Sequence, residues 1–196
     1  MSLVSKAKKA KLDLAVYRFA GDLPAESYAS TEYELSLVDE TDAVRRFFGD
    51  DSEWRDRYFE YLNDGYVGMA LHDDGDLMSY GWILTPESKR APRALPDSIC
   101  DEECYWLFDA GTEPEYRGLG LFKEINRVRT EWILERDPAA PIYTDTGVDN
   151  VARYGIESSE FEPYGTMSLF RVELPGTPLW KWGRWNRHAE HPPMPE

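Results

Sequence analysis

Cysteine and histidine are scarce in this sequence. Cys100 and Cys104 are the only cysteines, and histidine occurs only at positions 72, 188 and 191 of 196 residues. A structural zinc site needs about four converging nitrogen or sulfur ligands, so the ligand count predicts no resident metal. Long apolar runs are lacking too. None approaches the ~20 residues of a membrane span, and no charged segment leads into an apolar core at the start. Together these absences predict a reduced, cytoplasmic setting. Lysine is limited to seven residues, four of them (Lys6, Lys8, Lys9, Lys11) within the first eleven positions. With 37 acidic against 22 basic residues the formal charge is -15. Such a surface repels nucleic acid and anionic membranes, which excludes both as expected partners. An acidic, lysine-poor surface fits a halophilic source, and it also fits a site that attracts a cationic substrate. The whole-surface distribution favours the first.

What is present is an apolar inventory sufficient for one core. Hydrophobic residues make up 42% and aromatics 14% of a 22.7 kDa chain, more than a disordered segment carries. A chain of this size is expected to form one domain that buries roughly two thirds of its unfolded surface. Composition divides it into three stretches. Residues 1–31 form a basic N-terminal arm, helical or disordered, residues 32–175 form the folded domain, and residues 176–196 form a Trp-rich tail. The tail's LWKWGRWNR interleaves indoles with cations, and burial of those indoles against the parent domain or a homodimer mate is the expected arrangement.

Periodicity places the elements. Residues 32–40, EYELSLVDE, alternate as a strand with Tyr33, Leu35 and Leu37 on one face. The patterns DAVRRFFG and SEWRDRYFEYLNDG read as short helices, followed by strands YVGMALH and LMSYGWILT around an Asp-Gly turn. Residues 86–103 contain three prolines and read as a surface loop. CYWLFDAG is bulky on both faces, as a central strand should be. From Leu121 an apolar stripe of Leu121, Ile125, Val128 and Trp132 defines a helix, with Lys123, Glu124, Arg127, Arg129, Glu131 and Glu135 off the stripe. PIYTDTG reads as a strand, DNVARYGIESSEF as a short helix, and FEPYGTMSLFRVEL as a last long strand.

Between the central strand and that helix lies TEPEYRGLGLFKEI. A strand, then Arg117-Gly118-Leu119-Gly120, then a helix start aims several unpaired main-chain N–H groups at one point, beside the positive end of the helix dipole. Such a nest suits a diphosphate, and Arg117 adds a charge. Glycines there let a ligand approach the backbone, or serve only the turn. There is no Gly-x-x-x-x-Gly-Lys-Ser/Thr, nor the third glycine of the dinucleotide fingerprint, so nucleoside triphosphate and NAD are not expected ligands.

This run resembles the acyl-CoA-binding motif of the GNAT superfamily of N-acyltransferases. The motif's Arg/Gln-x-x-Gly-x-Gly/Ala maps onto Arg117, Gly120 and Phe122, with Phe122 standing where a small residue is usual. Asp149-Asn150, a short helix, then Phe161-Glu162 resembles the family's second motif, with Glu160 replacing a glycine. The order of elements agrees over roughly residues 32–174. The resemblance implies an α/β (α+β) fold with a mixed, mostly antiparallel central sheet, helices on both faces and a splayed cofactor cleft. It implies acetyl-CoA as co-substrate, held by Ala110, Thr112, Arg117, Gly118, Leu119, Gly120, Leu121, Phe122 and Asn150. The activity implied is N-acetylation of a small-molecule or protein amine by direct attack. A longer acyl-CoA, or binding without catalysis, is the alternative.

The chemistry asks for a carboxylate near the amine, because an alkyl ammonium is mostly protonated at neutral pH. Asp109, in the apolar central strand, is the first candidate base, and Glu103, at the start of that strand, is the second. Tyr154 and Tyr143 are the candidate acids, since Ile156 occupies the position where the family often keeps an acid tyrosine.

Overall fold

The computed structural model describes residues 8–49, 52–92, 95–173 and 180–194. Its strands are β1 (Lys8–Phe19), β2 (Glu34–Val38), β3 (Val67–Asp73), β4 (Asp76–Leu84), β5 (Tyr105–Thr112), β6 (Ile142–Gly147), β7 (Phe161–Glu173) and β8 (Trp180–Asn186). Helices α1 (Thr41–Phe48) and α2 (Ser52–Asp64) follow β2, α3 (Leu121–Arg136) joins β5 to β6, and α4 (Ala152–Glu157) precedes β7. The eight strands form one sheet in the order β2-β3-β4-β5-β6-β1-β7-β8. Among the described strands only β5 and β6 pair in parallel; every other neighbouring pair is antiparallel. The fold class is therefore as expected.

Local sequence explains much of this. Asp74 (φ 47°) and Gly75 (φ 94°) turn β3 into β4, the pair of left-handed residues that a tight primed hairpin requires. One core layer packs Val44, Phe47, Tyr58 and Tyr61 of the first two helices against Trp82, Trp106 and Phe108. The other packs Leu121, Ile125, Val128 and Ile133 of α3 against Ile83, Leu107 and Ile142. The apolar stripe of α3 thus faces the sheet.

Two expectations are corrected. The arm assigned to residues 1–31 is in part an interior strand: β1 lies between β6 and β7. Its Leu14-Ala15-Val16-Tyr17 run is buried on both faces, and that burial outweighs the basic composition of the residues before it. Residues 1–7 lie outside the described set. On β2, Leu35 and Leu37 are 48% and 40% exposed, because β2 is an edge strand whose alternation does not face the core. Glu124 and Arg129, which fall off the apolar stripe of α3, are nonetheless both fully buried. The Trp-rich tail pairs its strand β8 with β7 and packs Trp185 against Trp106, Tyr143 and Tyr164. Arg153 then holds the chain end through the carbonyls of Pro192 and Pro193.

Candidate functional site

The parallel pairing of β5 and β6 is short. It runs through Tyr105↔Ile142, Trp106↔Tyr143 and Leu107↔Thr144, and Thr144 Oγ1 donates to Leu107 O at 2.9 Å. Beyond that point the two strands are unpaired and a cleft opens between them. On its other edge β5 carries a bulge. Trp82 pairs with Phe108 and Tyr80 with Gly111, so three steps on β5 answer two on β4. Asp109 absorbs the extra residue at φ 45°, a left-handed conformation that costs a non-glycine residue on the order of 1–2 kcal/mol.

The bulge is held from beneath. Arg129, wholly buried on α3, donates to Trp82 O at 2.8 Å and Phe108 O at 3.2 Å, and through Nε to Ile125 O at 3.1 Å. It crosses under β4 at Gly81, where a Cβ would lie 2.6 Å from its Cζ. Burial pushes the guanidinium down to about 9, with Asp109 opposing the shift, so it stays cationic at neutral pH. The bulge carboxylate points to the other face. Asp109 Oδ2 lies 2.9 Å from Arg57 Nη2 and accepts from Tyr61 Oη at 2.9 Å. Burial, then the charge of Asp109, pushes the Tyr61 phenol up to about 12, which keeps it a donor.

After β5 the chain makes a single 3-10 turn (Pro114–Tyr116) and enters the glycine loop. Gly118 and Gly120 are both left-handed at φ 82°, but for different reasons. A Cβ on Gly118 would point into open space, whereas one on Gly120 would sit 2.2 Å from Tyr28 O. Gly120 is required by the close approach of the 28–30 segment. That segment fixes the loop by its carbonyl side, Ser30 N donating to Leu119 O at 2.9 Å. The amide side is left over: among the described residues no main-chain carbonyl accepts from residues 118–122. These orphan N–H groups at the start of α3 are what an anion needs.

A groove of about 520 Å³ runs along them, lined by Ala110, Thr112, Arg117, Gly118, Phe122 and Asn150 among others. It unites the expected cofactor residues except Leu119, whose carbonyl anchors the loop instead. Lys123, which sequence reasoning did not select, also lines it and lies over the Tyr28 ring. Phe122 fits where a small residue is usual because α4 offers Gly155, against whose missing side chain the ring packs. Asn150 Oδ1 accepts from Ala152 N at 2.9 Å and so opens α4.

At its inner end the groove meets a smaller cavity of about 120 Å³ between the splayed strands. Ala110, Phe122, Asn150 and Ala152 line both. Asp109, Asn126, Arg129 and Asp145 line the smaller one. Asp145, on β6, accepts from Trp106 Nε1 at 2.7 Å. Sequence reasoning passed over it, although a carboxylate inside the strand-like PIYTDTG was the same signal that singled out Asp109.

The other catalytic candidates do not reach this place. Glu103 is exposed at the opposite end of β5, left-handed at φ 49° where a 3-10 turn ends, roughly 20 Å from the bulge at about 3.3 Å per strand residue. Tyr154 is 54% exposed and lines neither cavity. Tyr143 is a core ring tilted against Trp106. Ile156 is buried and lines the inner cavity. Among the described residues no group of three or more His, Cys, Asp or Glu is placed to hold a metal, and no helix is long and apolar enough to cross a membrane.

No family model matches the chain, and no curated protein matches it in sequence. Solved structures do match in fold. One is a candidate acetyltransferase of the GNAT family from Novosphingobium aromaticivorans, at 18% identity and TM-score 0.58, covering 88% of this chain and 69% of that one. A GNAT-family acetyltransferase from Colwellia psychrerythraea aligns at 13% identity and TM-score 0.54, over 86% of this chain and 56% of its own. A tandem GNAT protein from the clavulanic acid biosynthesis pathway aligns at 16% identity and TM-score 0.54, over 91% of this chain and 55% of its own. This chain thus spans little more than half the length of the latter two. The splayed parallel pair, the bulge beside it and the glycine loop lie in a chain that adopts the GNAT acyltransferase fold.

Proposed function

We propose that this protein is an acetyl-CoA-dependent N-acetyltransferase acting on an amine by direct attack in a ternary complex. The observation that carries the proposal is the row of unpaired amides at residues 118–122 facing an open groove. Those N–H groups, with Arg117 and Lys123, would grip the diphosphate of coenzyme A, and the free edge of β5 from Ala110 to Thr112 would bind the pantetheine arm as a strand. The thioester then falls at the inner cavity. Its volume of about 120 Å³ supports an acetyl or other short acyl group over a long one.

The acceptor side lies on the α1–α2 face. A cavity of about 620 Å³ there is lined by Trp54, Tyr58, Tyr80 and Tyr116 with the carboxylates Glu113 and Glu115, and Tyr116 also lines the cofactor groove. Aromatic faces and carboxylates suit an ammonium group. Asp109 and Asp145 both line the inner cavity, which supports a carboxylate there as the acceptor of the amine's proton. Asp109 is held in an ion pair with Arg57, and Asp145, held by the Trp106 indole, joins it as a candidate base. Proximity of the two bound substrates supplies much of the acceleration. A cytoplasmic location follows from the co-substrate.

Ile156, buried where the family often keeps an acid tyrosine, favours a second reading: acyl-CoA binding without turnover. Measuring CoA release with acetyl-CoA and a panel of amines separates them. Release dependent on one amine class is the expected result. Binding without release supports the second reading, preference for longer acyl-CoAs in competition replaces the acetyl donor, and no acyl-CoA binding by calorimetry overturns the proposal.

A further inference from the structure

Among the polar side chains that line the inner cavity, Asn126 stands out. Asn126 lies one helical turn beyond Phe122, is 3% exposed and lines the cavity. Its Oδ1 accepts from Arg129 Nη2. Its Nδ2 has no hydrogen-bond partner among the described residues. The orientation of the amide is fixed by chemistry: a guanidinium can only donate, so the amide oxygen must face it and the NH2 must face away. A buried donor left without an acceptor is costly by about 1–3 kcal/mol, and it is seldom kept without a use.

The cation behind it sharpens that use. Four of the five Arg129 N–H groups have acceptors: Ile125 O, Trp82 O, Phe108 O and Asn126 Oδ1. Every one of these is uncharged. No carboxylate lies within ion-pair distance of Arg129 among the described residues, so the positive charge beneath the bulge is felt through the Asn126 amide and makes its N–H bonds better donors. The arrangement is buried and pinned by hydrogen bonds before any substrate arrives, which is what stabilising a developing negative charge requires.

We propose that Asn126 Nδ2 donates a hydrogen bond to the thioester carbonyl oxygen and holds the oxyanion of the tetrahedral intermediate, with Arg129 as the positioning residue behind it. This rests on the acyl-CoA reading above. The nitrogen lone pair of the acceptor amine forms the C–N bond while the carbonyl π pair moves onto oxygen, where Asn126 meets it. The amine's proton passes to a cavity carboxylate. The oxygen pair then returns, the C–S bond breaks, and coenzyme A leaves as the thiolate and is protonated from solvent. A neutral donor backed by a cation thus meets the oxyanion and a carboxylate takes the proton, within one cavity.

Isotope-edited infrared spectroscopy of bound acetyl-CoA, labelled with carbon-13 at the carbonyl, tests this without any acceptor. Asn126→Asp keeps the shape and gains an ion pair with Arg129, but presents no donor. Calorimetry comes first. Wild type that binds no acetyl-CoA overturns the acyl-CoA reading and this inference with it. Where both proteins bind, with dissociation constants within about threefold, the carbonyl band should sit at lower frequency in wild type and move up in Asn126→Asp. Turnover, once an acceptor is known, should fall about 100-fold at little changed KM. The same band position in both proteins overturns the proposal and leaves the acyl-CoA reading standing. Asn126→Ser, which shortens the side chain without adding charge, gives the same comparison should Asn126→Asp not fold.

Discussion

The glycine loop and the cavity under the bulge are neighbours, yet they are built on opposite principles. The loop is one contiguous stretch from Thr112 to Phe122, and its signature is written in residues that sit side by side, although the 28–30 segment braces it from a distance. The cavity is assembled from β5, β6, α3 and α4, and Arg129 in its wall is tied to Trp82 on β4 across 47 positions of sequence. A local device can be read from spacing. A device made of distant parts becomes visible only when the sheet has closed around it.

The sharpest way to break this comparison is within the loop itself, where two glycines share one φ. Gly120→Ala should be the most damaging change, because the left-handed cost and a collision with Tyr28 O add to roughly 3–4 kcal/mol of stability, read by urea unfolding. Acyl-CoA affinity should fall with it. Gly81→Ala tests the cavity in the same units: the added methyl meets a guanidinium pinned by four hydrogen bonds, and about 2–3 kcal/mol should be lost. Gly118→Ala meets open space, so only its backbone cost of about 1 kcal/mol should appear. Stability losses of equal size at Gly118 and Gly120 would show that the 28–30 segment does not brace the loop.

Smaller effects sharpen the picture around α3. Burial alone would raise the Glu124 carboxyl, but Arg127 at 2.8 Å, Tyr33 and the Tyr28 amide outweigh it and hold the group below its ordinary range. A depressed folded-state value means the stabilisation is present above the unfolded-state pKa, about 4, and is lost as pH falls through the folded value. Glu124→Gln should therefore destabilise the protein near pH 7, and the gap to wild type in urea unfolding should narrow on acidification below pH 4. The smallest signal is at Cys104, whose thiol burial pushes up to about 12. It should resist alkylation at pH 8 in the folded protein and react on unfolding.

Most of the architecture is legible in the sequence: the helical stripe of α3, the Asp-Gly hairpin and the central strand all carry strong local signals. The N-terminal strand is not, because four lysines dominate the segment while the buried run Leu14 to Tyr17 is only four residues long. Asp109 was selected for its apolar setting, yet the bulge that turns it away from the cofactor groove toward Arg57 depends on register with β4. Asn126 and Arg129 were hidden by a rule that usually holds: polar positions on an amphipathic helix face water. Here the carbonyls beside the bulge reverse it, offering a buried guanidinium the acceptors it needs. Spacing held one available hint, since Asn126 follows Phe122 by four residues and so shares its face of the helix.

The central claim is that unpaired main-chain amides at residues 118–122 grip a diphosphate. Calorimetric titration of the full chain with acetyl-CoA, and with the same acyl-pantetheine arm lacking the diphosphate, tests it most directly. The account predicts one site per chain for acetyl-CoA and binding weaker by at least about tenfold for the truncated arm. No binding of acetyl-CoA, or equal binding of the two, would contradict it.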